Sequence, residues 1–107
     1  MTFQTSSFET VVGPKDPAET VSLTFPFAKE SVGATCLTAT VEVEVLSGYD
    51  STPPSMLFMD PDTSGFPIIL QSVTGGMPGV VYLFRCVARL SSGQVLVRKA
   101  VLAVCAR

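Results

Sequence analysis

The run Gly79-Val80-Val81-Tyr82-Leu83-Phe84-Arg85-Cys86-Val87-Ala88-Arg89-Leu90, the break Ser91-Ser92-Gly93-Gln94 and the run Val95-Leu96-Val97-Arg98-Lys99-Ala100-Val101-Leu102-Ala103-Val104 decide how this chain folds. Two β-rich runs around a Ser-Gly break spell a β-hairpin. A hairpin alone buries too little to persist in water, so the rest of the chain must supply a second sheet to cover its apolar face. Centring the turn on Ser92-Gly93 sets Leu90 opposite Val95, Ala88 opposite Val97 and Cys86 opposite Lys99. On that register Tyr82, Phe84, Cys86, Ala88 and Leu90 share the core face with Val95, Val97 and Val101, while Arg85, Arg89 and Arg98 lie on the other. Lys99 fits neither face and demands a bulge or a side chain reaching past the sheet edge.

Working back from the hairpin, the same period of two recurs. Leu37, Ala39, Val41, Val43 and Val45 alternate with Thr38, Thr40, Glu42 and Glu44, so one face goes to a core and the other to water. Val21, Leu23, Phe25 and Phe27 alternate with Thr20, Ser22 and Thr24, and Pro26 ends that strand or confines it to an edge. Phe66, Ile68 and Leu70 alternate with Pro67, Ile69 and Gln71, apolar on both parities, which predicts a strand covered on both faces. Turn chemistry separates these runs at Ser47-Gly48-Tyr49-Asp50-Ser51-Thr52-Pro53-Pro54 and at Thr74-Gly75-Gly76-Met77-Pro78-Gly79. Six or seven short strands with no helix-period segment of useful length make an all-β sandwich. Residues 1–12 hold Phe3 and Phe8 without a sustained period and read as an extended arm or an irregular edge strand. Gly13-Pro14-Lys15-Asp16-Pro17 then punctuates the chain before a sandwich domain over residues 13–107.

A chain of 107 residues is one domain and buries about 65% of its unfolded surface. Its net charge of −2, with only 15% charged residues, offers no electrostatic footprint for nucleic acid or an anionic membrane. No apolar stretch approaches a membrane span and the N-terminal residues lack a signal-peptide pattern, so synthesis and folding in a cytoplasm are expected. Cys36, Cys86 and Cys105 have no metal-ligand spacing and read as reduced, mostly buried thiols.

The absence of histidine removes the Ser-His-Asp and Cys-His arrangements and every imidazole metal ligand. No cofactor motif is present, and the reading is of a protein that is not an enzyme. Glu42 and Glu44 fall on the wet face of a strand as solubility residues. Asp60, Asp62, Ser64 and Gly65 occupy the first, third, fifth and sixth places of a calcium-loop pattern, but its twelfth place is Gln71, which lacks the bidentate carboxylate. That stretch reads as an Asx-rich turn between strands. Tyr82, just past a glycine corner, stands where sandwiches of the immunoglobulin class place a tyrosine that bonds back to the corner, although it precedes Cys86 by four residues rather than two.

Lys15-Asp16-Pro17 with Glu19-Thr20, Gly48-Tyr49-Asp50, Gly75-Gly76 before Gly79, and above all Gly79 and Tyr82 followed by Arg85-Cys86 and the Ser92-Gly93 turn carry a family resemblance. Over residues 13–104 the chain resembles small virion structural proteins of tailed bacteriophages, of the fibre-tail adaptor or neck-associated type. The tryptophan expected in the early strands is missing. The resemblance implies an immunoglobulin-like β-sandwich of about seven antiparallel strands. It also implies a structural role in the particle, without catalysis, in multiple symmetric copies docked on tail, neck or fibre proteins. Within that picture the contact residues are Phe3 and Phe8 of the arm, the Lys15, Asp16, Pro17 segment, and Arg85, Arg89 and Arg98 on the outer hairpin face. Two other roles share much of this physics: a capsid decoration protein, and a sandwich module that binds glycan or another ligand through loops near Tyr49 and Phe66.

Overall fold

Residues 9–27 and 34–105 are described by the computed structural model, so Phe3 and Phe8 lie outside the described residues. The strands are β1 (Glu9–Lys15), β2 (Thr20–Pro26), β3 (Cys36–Ser47), β4 (Leu57–Asp62), β5 (Ile68–Thr74), β6 (Val81–Leu90) and β7 (Val95–Val104). One turn of 3-10 helix, Pro53–Met56, precedes β4. They form a four-stranded sheet in the order β1-β7-β6-β3 and a three-stranded sheet in the order β2-β5-β4. The two sheets share one core, which clusters Leu23 and Phe25 of β2 and Phe27 just after it with Tyr82, Phe84, Cys86 and Ala88 of β6. The all-β, two-sheet architecture expected from alternation is therefore present.

Strand β1 takes the irregular edge-strand reading of this segment, and it differs from expectation in its end and in its direction. It runs straight through the boundary at residue 12, and it pairs with β7 in parallel, Thr10 opposite Ala100 and Val12 opposite Leu102, whereas antiparallel pairing was expected throughout. The chain leaves β1 through the turn at Asp16 and crosses to the other sheet as β2, so β1 is not hairpin-linked to its neighbour, and antiparallel pairing is not imposed on it. Pro14 is tolerated because β1 is an edge strand and its register shifts between Val12 and Lys15.

The hairpin forms, but one residue out of the expected register. Arg89 stands opposite Val95, Cys86 opposite Arg98 and Arg85 opposite Lys99. The loop is Ser91-Ser92-Gly93: the Gly93 N–H donates to the Leu90 carbonyl at 3.0 Å, the Leu90 N–H donates to the Gln94 carbonyl at 2.9 Å, and Gly93 sits at φ +93°. This is the three-residue connection that ends in a left-handed glycine. Because side chains alternate with a period of two, one extra loop residue turns β7 over. Its inner face is Leu96, Arg98, Ala100, Leu102 and Val104, rather than Val95, Val97 and Val101. Lys99 is thereby exposed and needs no bulge.

Two further differences lie in the three-stranded sheet. Ile69, Gln71 and Val73 of β5 are buried, whereas Ile68 and Leu70 remain exposed, so this strand is covered on one face only. Strand β4 carries a bulge between Phe58 and Asp62, with Met59 at φ +70°. Buried Gln71 reaches into it, its Nε2 donating to the carbonyls of Met59 at 3.0 Å, Phe58 at 3.4 Å and Ser72 at 2.8 Å. A side-chain amide thus satisfies backbone acceptors that the broken ladder leaves free.

Candidate interaction surface

The residues expected to make contacts scatter over surface and interior. Lys15 is only 2% exposed, and its Nζ donates to the carbonyls of Gly75 at 2.7 Å, Asp16 at 2.9 Å and, at longer range, Pro17 at 3.5 Å. Burial pulls its pKa below the ordinary lysine value, with Glu19 and Asp16 pulling it back. A perturbed lysine is a usual mark of chemistry, but here the ammonium is enclosed by carbonyls and clasps the end of β1 to the loop after β5. Lys15 is therefore corrected from a contact residue to an interior tie. Asp16 and Pro17 build the turn that follows: the Glu19 N–H donates to the Asp16 carbonyl at 2.9 Å and the Ala18 N–H to Asp16 Oδ1 at 2.8 Å.

Arg98 is the second correction. At 8% exposure it lies between the sheets, its Nε donating to the Pro26 carbonyl at 3.0 Å, its Nη1 to the Val97 carbonyl at 2.9 Å, and its guanidinium carbon 4.9 Å from the centre of the Phe27 ring. A two-residue turn at Ser92-Gly93 would place Arg98 on the outer face; the third loop residue turns it inward. Arg85 and Arg89 do lie outside. Arg85 Nη1 meets Glu42 Oε1 at 3.1 Å, and the Cα register aligns Glu42, Arg85 and Lys99 across three strands. An exposed pair of this kind contributes little to stability, on the order of 0.5 kcal/mol.

The loop residues mostly serve the fold. Tyr82 is fully buried; its hydroxyl donates to Asp50 Oδ2 at 2.7 Å and accepts the Met77 N–H at 2.8 Å, while Asp50 Oδ1 accepts the Thr52 N–H at 2.9 Å. Burial, set against the Met77 hydrogen bond and reinforced by Asp50, pushes the Tyr82 phenol up. At the calcium-like stretch, Asp62 Oδ1 accepts the Ser64 N–H at 2.9 Å and its hydroxyl at 2.7 Å, an Asx turn whose side-chain and backbone bonds hold the Asp62 carboxyl below the usual range. No metal-ligating cluster of three His, Cys, Asp or Glu occurs among the described residues. The cysteines are free thiols; burial raises the pKa of Cys36 and pushes Cys86 up to about 12, away from the reactive thiolate. Phe66 stacks on Phe27 with centroids 6.2 Å apart, which leaves Tyr49, 77% exposed, as the one open ring of the two near those loops.

Sequence reasoning missed two surfaces. The outer face of β2-β5-β4 places Phe58, Ile68 and Leu70 beside Ser22, Thr24, Ser72 and Thr74, apolar and hydroxylic side chains with Asp62 at the margin. The second is an open groove of about 630 Å³ between the edges of β3 and β4, lined among others by Leu37, Ala39, Val41, Leu57, Met59 and Gln71. Leu37 is 65% and Met59 73% exposed there. The exposed parity of β5 was the available signal for the first; the groove depends on which strands end the sheets, which alternation does not encode. Compared with known families and curated proteins, the chain matches no family model and no curated protein.

Proposed function

We propose that this chain is an immunoglobulin-like structural domain that works by binding other proteins, as an adaptor joining tail, neck or fibre components of a tailed-phage particle. The order β2-β5-β4 against β7-β6-β3 supports the immunoglobulin class, since that class stacks its B-E-D strands on G-F-C. The difference is that β1 has moved to the β7 edge instead of standing beside β2. The hydrogen bond from the Met77 N–H to the Tyr82 hydroxyl, at the corner before the penultimate strand, supports it further.

One observation carries the docking role: Phe58, Ile68 and Leu70 stay exposed on a sheet face almost without charge. Charge depletion with large apolar side chains is the composition of an interface centre rather than of a solvated surface. The adaptor role itself follows from the family resemblance. Purified virions of the phage encoding the chain should contain it at a fixed copy number, and microscopy of particles labelled on this chain should place it at the neck, tail or fibre junction. Infectious particles of normal form assembled without it would sink the proposal, and labelling over the whole capsid surface would move it to a decoration role.

A further inference from the structure

We propose that the free edge of β3 accepts an extended strand from a partner protein, one that alternates apolar residues turned into the β3/β4 groove with lysine or arginine turned outward. The β3 ladder with β6 is regular from Thr38 to Val45, with register shifts only before and after that stretch, and β3 ends its sheet among the described residues. An unpaired regular edge is a template for strand addition unless something blunts it. The other edges differ. Strand β4 is interrupted by its bulge and Pro61, and β1 by Pro14 and a register shift. Strand β2 is regular, but its inner residues Leu23 and Phe25 are already buried, so an added strand would cover nothing. Among the described strands, only β3 joins a regular ladder to a half-buried inner row, Ala39, Val41, Val43 and Val45, whose first two residues open to the groove.

Charge selects the occupant. The outer row along this edge is Thr38, Thr40, Glu42 and Glu44, all exposed. A second copy pairing antiparallel about residues 42–44 would set these glutamates against their own counterparts, and like charges directly opposite oppose pairing. A strand with basic residues at alternate positions meets Glu42 and Glu44 with opposite charge, and the chain's net charge of −2 favours its approach. This inference stands on the β3 edge alone and does not need the virion assignment.

The test uses the full chain, isotopically labelled, with the blocked peptide acetyl-Lys-Val-Lys-Val-Lys-Val-Lys-amide and its glutamate-for-lysine counterpart. The basic peptide should shift and protect backbone amides within residues 38–45 and bind about tenfold more tightly than the acidic one. The variant carrying Glu42→Lys and Glu44→Lys should reverse that preference; Glu44→Lys alone, which keeps the Glu42–Arg85 pair, should narrow it if the double variant loses its fold. Equal binding of both peptides, protection centred on another strand, or no protection at millimolar peptide would overturn the proposal. So would a concentration-dependent dimer already protected over residues 38–45 without peptide.

Discussion

Arg98 and Lys99 are neighbours on one strand, so any register that forms β7 must turn one of two cations inward. Arginine is the one the fold accepts: its planar head lies against Phe27 and donates to the carbonyls of Pro26 and Val97. A lysine ammonium there, compact and tetrahedral, would have no planar face to lay on that ring. Tyr82 solves a similar problem, taking a bulky polar side chain into the core by spending its hydroxyl on Asp50 and the Met77 N–H. Replacing Tyr82→Phe removes both bonds and leaves a partly buried N–H without its acceptor. The expected loss is about 2 kcal/mol of unfolding free energy. Urea titration checks this, with Tyr49→Phe, at an exposed ring, as the control that changes stability by less than about 0.5 kcal/mol.

At the scale of elements, short connections decide which side chains face inward. The loop Ser91-Ser92-Gly93 is one residue longer than a two-residue turn, and that residue exchanges the whole inner and outer sets of β7. The connection from β5 to β6 is equally exacting. Gly76 has φ +99°, and a Cβ on it would lie 2.9 Å from both Met56 Cε and Val104 Cγ2, whereas Gly75, at φ +68°, has open space around that position. Gly76→Ala therefore combines backbone strain with overpacking and should cost about 3 kcal/mol, while Gly75→Ala meets only the strain and should cost about 1 kcal/mol. Parallel thermal and denaturant melts compare the two. Equal losses would mean that Met56 and Val104 yield freely. The same loop offers the Gly75 carbonyl to Lys15, so it also ties down the end of β1.

At the scale of the molecule, the buried thiol sets a pH limit. Cys86 has its pKa raised from 9.0 to about 12 by burial foremost, with Cys36 adding to it. Stability from this group is thus fully present below the ordinary thiol value and is lost as pH rises from 9 through about 12. Cys36 and Tyr82, raised as well, act in the same direction above their ordinary values, and Lys15, lowered, acts in the opposite one. Denaturation midpoints should stay level up to pH 9 and fall beyond it. Cys86→Ala should make that alkaline decline shallower, whatever its effect at neutral pH, because Cys36, Tyr82 and Lys15 remain in both proteins and the loss of Cys86 also removes its charge coupling to Cys36. An unchanged slope would show that another group controls the alkaline limb.

What local sequence determined was the existence and parity of the strands whose two faces differ chemically. Leu23 and Phe25 against Ser22 and Thr24, Val41 and Val43 against Glu42 and Glu44, and Tyr82 and Phe84 against Arg85 each allow one orientation, because burying the polar set would leave it unsatisfied. Where both parities are apolar, as in β5 and β7, burial is decided by register and by which strands lie alongside. The parallel docking of β1, the inward turn of Arg98, the burial of Lys15 and the open groove at β3 came only with the tertiary structure. Each depends on partners far away in sequence: Lys15 on Gly75, Arg98 on Pro26 and Phe27, the β3 groove on β4. Alternation reports only the faces of a single strand. The pairing of edges and the closing of loops are settled by the rest of the chain.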